Sequence, residues 1–200
     1  MRLEFLGGLV CLGLMLGATS GVRAQGMVPE IAPLRLEQHA DGLSLSTTVQ
    51  FELPAVVEDA LHKGIAMFFV AEVELYRDRW YWTDRKVATT TRHMRLAYQP
   101  LTRRWRLTVA PGPIGNSSLG VLLSQQYDSL SEALGSVQRF SGWKIAEATD
   151  MEPDARYNVE FRFKLDITQL PRPFQIGAVG QGDWVIAASR NQRLNPELPR

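Results

Sequence analysis

"RYNVEFRFKLDI" (residues 156–167) alternates without a slip. Tyr157, Val159, Phe161, Phe163 and Leu165 share one parity; Asn158, Glu160, Arg162, Lys164 and Asp166 share the other. Successive side chains of a strand point to opposite faces, so this stretch is a strand with an apolar face and a wet face. A wet face belongs to an antiparallel sheet, because parallel sheets are covered on both sides. Phe161 and Phe163 are the expected heart of the core.

The rest of the chain fits that frame. "LSLSTTVQF" (residues 43–51) repeats the period of two, and "IAMFFVAEVELY" (residues 65–76) reads as a central strand. Between them, Pro54 suits a first helical turn and Gly64 a helix end, with Val56, Val57, Ala60 and Leu61 as the apolar stripe. "RDRW" (residues 77–80) is expected to turn the chain, and "TTTRHMRLAY" (residues 89–98) to extend again. Met94, Leu96 and Tyr98 share a parity; Pro100 turns the chain, and Trp105, Leu107 and Val109 share a parity on the way back. Ser129 with Glu132 three residues on is a capping-box spacing that opens a short helix. "LPRPFQIG" (residues 170–177) is expected as a rigid extended loop, and "DWVIAASR" (residues 183–190) as a last strand. Six or seven strands, two short helices and Pro/Gly turns predict a mainly all-β chain, an immunoglobulin-like antiparallel β-sandwich.

The first residues, "MRLEFLGGLVCLGLMLGATSGVRAQG", place a cation before an apolar run that ends in Val-x-Ala. That is the pattern of a secretory signal peptide, residues 1–24, cut before Gln25. The alternative is an uncleaved anchor, for which the run is short beside the roughly 20 residues a span takes. The expected location is the periplasm, with no membrane span after cleavage. The expected units are an irregular lead-in (residues 25–41), one sandwich domain (residues 42–190) and a flexible tail (residues 191–200). Cys11, the single cysteine, lies in the signal, so disulfides play no part in the mature fold.

Charge is unevenly spread. Residues 76–106 carry nine Arg and Lys against two Asp, while residues 25–75 carry two cations against eight acids. Cations interleaved with Tyr76, Trp80, Tyr81, Trp82 and Trp105 resemble a nucleic-acid groove, which needs both kinds of residue on one surface. Parity argues otherwise: it turns Trp105 away from Arg104 and Arg106, and Tyr98 away from His93 and Arg95. No nucleic acid is expected. Two readings of the basic stretch remain, internal compensation by the acidic remainder and a contact face for an acidic partner. The expected contact residues are Arg79, Trp80 and Trp82 at the turn and Arg92, Arg95, Arg104 and Arg106 on a solvent-facing cationic side, since Trp and Arg dominate binding hot spots. Glu72 and Glu74 share a face beside them and are expected to pair across strands with residues such as Arg85.

Catalytic signatures are thin. The chain has no Gly-x-Ser-x-Gly, and His39, His62 and His93 lack the clustered partners of a zinc site. "EATDMEPD" (residues 147–154) lacks the ligand spacing of a calcium loop. No metal, no cofactor and no enzymatic activity are expected. The leading reading is a non-enzymatic binding module. A small-molecule or envelope-glycan site between the sheets is the alternative, and a hydrolase with dispersed carboxylates the third.

Two segments carry a family resemblance. "FFVAEVELYRDRWYWTDRKVATTTRHMRLAYQPLTRRWRLTV" (residues 68–109) and "DITQLPRPFQIGAVGQGDWVIAASR" (residues 166–190) resemble the proteobacterial "domain of unknown function 4390" family, also labelled proline-rich signal peptide proteins. "ELYRDRWYWTD" and "LPRPFQ" are the most specific pieces. The resemblance covers about residues 30–190 and implies an exported protein with no established activity, catalytic residue or cofactor. Some members are encoded near nitrogen-regulation-type sensor kinases. That implies an envelope signalling link and, as partner, the extracytoplasmic domain of a membrane sensor.

Overall fold

The computed structural model of the protein describes residues 28–78, 84–114, 123–152, 155–178 and 182–194. In chain order the elements are β1 (Glu30–Ile31), β2 (Arg35–His39), β3 (Gly42–Gln50), α1 (Ala55–His62), β4 (Met67–Arg77), β5 (Arg85–Gln99), β6 (Arg104–Ala110), β7 (Leu123–Tyr127), α2 (Leu130–Gln138), β8 (Arg139–Glu147), β9 (Tyr157–Leu165), α3 (Arg172–Ala178) and β10 (Ala187–Arg193). Two antiparallel sheets pack face to face as an all-β sandwich. The larger has six strands in the order β10-β9-β4-β5-β6-β7. In the smaller, β3 is flanked by β2 and β8, and β1 pairs with its last residues. The larger sheet is a β4-to-β7 meander extended by β9 and β10. Its strand order therefore refines the immunoglobulin-like expectation, whose sheets are joined by Greek-key crossings.

Register explains the core. Ala71 and Val73 of β4 stand opposite Phe163 and Phe161 of β9, while Phe69 and Met67 stand opposite Met94 and Leu96 of β5. All of these point inward and are buried. From the smaller sheet, Phe140 sits 5.2 Å from Phe161 between ring centres, and Phe51 sits 5.3 Å from Phe163. The interior between the sheets is thus filled by interlocking aromatic and aliphatic side chains. Edge-to-face and offset ring pairs of this kind add to the burial term.

The two sheets are also stitched by polar side chains. On β10, Arg190 and Gln192 have the inward parity. Arg190 donates to the Ile31 carbonyl at 2.6 Å, and the Gln192 amide bonds both the Leu34 N–H (2.9 Å) and its carbonyl (2.6 Å). These bonds satisfy backbone groups where the chain breaks between β1 and β2, which burial would otherwise penalise.

Several expectations are corrected. The lead-in is not irregular: it holds β1 and β2, joined to β3 by a turn at Ala40–Asp41. Asp-Gly at 41–42 is a hairpin signal. Gly42 has φ of 145°, and a Cβ there would collide with the Ala146 carbonyl of β8. β8 is an element the alternation hides. Gly142, at φ 54°, takes up an irregular register between Leu45↔Trp143 and Thr47↔Phe140, so Phe140 and Trp143 reach one face three residues apart. Residues 170–177 do not form an extended loop; α3 occupies most of them, and the Pro171 carbonyl accepts from the Phe174 and Gln175 N–H groups as a first turn does. Asn191, Gln192 and Arg193 belong to β10 rather than to a tail. The expected helices are present: Ser129 caps α2 by accepting from Glu132 N–H, and α1 buries Val57, Ala60 and Leu61.

Candidate interaction face

The outward parity of the six strands makes one broad polar surface, with no second layer of strands upon it among the described residues. Across it, Ser189, Arg162, Glu72 and Thr91 lie in one row, and Asn191, Glu160, Glu74 and Thr89 in the next. Toward the other end Phe68 faces Arg95 across β4 and β5, Arg95 faces Thr108, and Ala97 faces Arg106 across β5 and β6.

Glu74 anchors the first region. It is 5% exposed, so its charge needs partners. Lys86 Nζ donates to Oε1 at 2.8 Å, Tyr76 OH donates to Oε2 at 2.7 Å, and Arg162 Nη2 bonds Oε2. Arg162 also lies 3.6 Å from Glu160 and 3.9 Å from Glu72. Burial, then the charges of Glu160 and Glu72, push the Tyr76 hydroxyl up from its usual pKa, which keeps it a donor. The expected cross-strand pairing of the glutamates holds in kind, but its partners are Lys86 and Arg162. Arg85 stands opposite Arg77 on the other parity.

The second region holds the expected cations. Arg95 stacks near the Phe68 ring, 6.0 Å from its centre. Arg104 is 3.4 Å from Asp128. Arg106 keeps its Nε buried without a hydrogen-bond partner, as His93 keeps its Nδ1. Burial lowers the His93 pKa; Asp166 opposes that shift and Lys164 adds to it. Arg95, Arg104 and Arg106 therefore share the outer face, as their spacing predicts.

Arg92 does not, and the expectation that it points to water is overturned. It has the parity of Met94 and lies between the sheets, 4.6 Å over the Trp143 ring and 5.3 Å over Phe140. Guanidinium is weakly hydrated and stacks on aromatic faces, so this seat tolerates it. Burial lowers its pKa from the ordinary guanidinium value. Arg79, Trp80 and Trp82, expected at the turn, lie outside the described residues.

The basic stretch is compensated only in part. Arg77 pairs with Glu152, Lys86 with Glu74, and Arg104 with Asp128. Among the described residues Arg95 and Arg106 make no ion pair. Two of those three acids, Asp128 and Glu152, come from later in the chain than the acidic N-terminal part.

Other chemistry is sparse. No group of three or more His, Cys, Asp or Glu among the described residues is placed to hold a metal ion. A Ser-x-x-Lys spacing does occur, at Ser141 and Lys144. It falls on a strand, and Lys144 is held by Glu147 (2.6 Å) and Asp41 (3.3 Å), with the Glu147 hydrogen bond foremost in raising its pKa. A raised pKa is the wrong direction for an activating base. One feature that sequence reasoning missed is a cavity of about 430 Å³ at the β10–β9–β4 corner, lined by Tyr76, Asp84, Asn158, Glu160, Asn191, Gln192 and Arg193.

The fold and this face define a β-sandwich with one polar, charged sheet surface. The chain belongs to the family described as "domain of unknown function (DUF4390)", whose model matches residues 28–194. No curated protein and no solved structure matches the chain. Among the described residues no helix is long and apolar enough to cross a membrane.

Proposed function

We propose that the protein is a non-enzymatic binding module of the periplasm, exported by a cleavable signal peptide, whose cationic sheet corner docks an acidic protein partner. The extracytoplasmic domain of a membrane sensor is the partner the family resemblance favours. The observation that carries this reading is the pair Arg95 and Arg106: both have the outward parity, and neither makes an ion pair among the described residues. Cations left unpaired on a rigid surface steer acidic partners and fix their register more than they stabilise the fold.

Phe51 and Phe140 pack directly on Phe163 and Phe161 between the sheets, which gives no support to the alternative of a ligand site there. The hydrolase reading has its carboxylates Glu72, Glu74 and Glu160 gathered around Arg162, where ion pairing holds them. The test is affinity capture from periplasmic extract with the mature protein and with an Arg95→Glu/Arg106→Glu variant. The expected result is a partner with an acidic domain retained by the first, lost by the second, and released as salt rises above about 0.15 M, where charges are screened within roughly 8 Å. Equal capture by both proteins contradicts the reading.

A further inference from the structure

The corner diagonally opposite Arg95 and Arg106 has a different chemistry. There the end of β4, the start of β9, the end of β10 and Asp84 just before β5 line the open cavity of about 430 Å³. That volume lies within the ~300–1,000 Å³ range of small-ligand sites. Its lining is unlike that of most such sites, which are largely apolar: two carboxylates, three amides, a phenol and a guanidinium surround it.

The internal hydrogen bonds separate structural groups from available ones. Gln192 is spent on the Leu34 backbone. Asn158 uses its amide N–H on Asp78 at 2.6 Å and keeps its oxygen. Tyr76 has its hydroxyl tied to Glu74, which leaves its ring as the part that lines the cavity. Asn191 and Arg193 are exposed, and neither they nor Asp84 make a side-chain hydrogen bond among the described residues. Glu160 has the single contact with Arg162.

We infer that this groove is a binding site for a short neutral or amino-bearing oligosaccharide. The sheet sets its available groups on a fixed lattice: Asn191 stands opposite Glu160, Arg193 opposite Asn158, and Asn158 opposite Tyr76. Opposite residues are about 5 Å apart and alternate residues along a strand about 7 Å apart. This lattice alternates acceptors (Asp84, Glu160, the Asn158 oxygen) with donors (Arg193, the Asn191 amide) at the scale of a sugar ring. Each ring hydroxyl both donates and accepts, so it matches amide and carboxylate pairs side by side. The Tyr76 ring supplies a flat face for the C–H side of a pyranose. No aliphatic side chain is among the lining residues, so a lipid tail has none to pack against. A polyphosphate meets the carboxylates Asp84 and Glu160, which repel it. The inference stands apart from the acidic-partner reading, because the two sites share no residue.

The experiment is an NMR titration of the ¹⁵N-labelled mature protein with chitotetraose and cellotetraose, alongside triglycine as a zwitterionic control and inorganic pyrophosphate as an anionic one. The expected result is saturable shifts for at least one tetrasaccharide, mapped to Tyr76, Asn158, Glu160 and Asn191, with neither control binding. Asn191→Ala and Asp84→Ala should each weaken binding by about tenfold, the scale of a lost hydrogen bond to a ligand. Both positions are at the surface, so the spectra of the free variants report whether the fold is kept. Arg95→Glu/Arg106→Glu should leave the titration unchanged, which separates this site from the protein-partner corner. The inference is overturned if neither tetrasaccharide shifts the groove at millimolar concentration, if triglycine or pyrophosphate binds there instead, or if both alanine variants bind undiminished.

Discussion

The two faces of the six-stranded sheet are made by alternate residues of the same strands, and they obey different rules. The inner face has one solution: Phe161, Phe163 and Phe69 interlock with Phe140 and Phe51, and any hole costs stability. The outer face divides again. At the Glu74 corner Glu74, Lys86 and Arg162 pair with one another, so those charges belong to the fold. At the other corner Arg104 pairs with Asp128, while Arg95 and Arg106 make no ion pair among the described residues, which is why the proposed contact is placed on them. Charge on a sheet face therefore says little about role until each ion's partners are known.

The largest stability effect expected is on the inner face. Phe161→Ala should cost about 3–5 kcal/mol in denaturant unfolding, as aromatic truncations in packed cores do. A cost near that of a surface change would mean that the two sheets do not pack as described.

Next comes the paired corner. Arg162 alternates outward and, read from the sequence alone, ranks as a surface residue whose removal costs under about 0.5 kcal/mol. Its bond to the buried Glu74 changes that. Arg162→Ala should cost about 1–3 kcal/mol, because it leaves a buried carboxylate short of a partner. An Arg162→Ala/Glu74→Gln double variant should recover part of the loss, and if it recovers none the two residues are not coupled.

A smaller effect depends on pH. His93 has its pKa lowered by burial, so the folded protein binds this proton less readily than the unfolded chain. Stability should then fall as pH drops below the unfolded value of about 6.5. Thermal melts between about pH 7 and pH 5 should show a shallower decline for His93→Gln than for the parent protein. Parallel curves would mean that His93 is solvated.

Local alternation made the inner face legible: the β9 residues 157–165, the Met94–Leu96 and Trp105–Leu107 parities and the Ser129 cap follow from neighbours in the chain. What escaped depends on distant partners. β8 escaped because the irregular register at Gly142 breaks its period, and its partner β3 lies almost a hundred residues earlier. The parity of Arg92 with Met94 is plain in the sequence, yet its seat requires Trp143 and Phe140 from that same hidden strand. The β10 groove escaped because Asn191 and Arg193 look like a fraying end until Asn158 and Glu160 are placed beside them.

The smallest stability effect carries the most weight. Arg95→Glu/Arg106→Glu should change the melting temperature by a few degrees at most, because both side chains are half-buried on the outer face without an ion pair among the described residues, and substitutions away from such pairs cost little. The direct test is to measure, on one preparation of this variant, both its melt and its affinity for the captured partner. The account predicts a near-parental melt with binding lost. An unfolded variant would assign these cations to the fold, and a folded variant that still binds would place the partner's contact elsewhere.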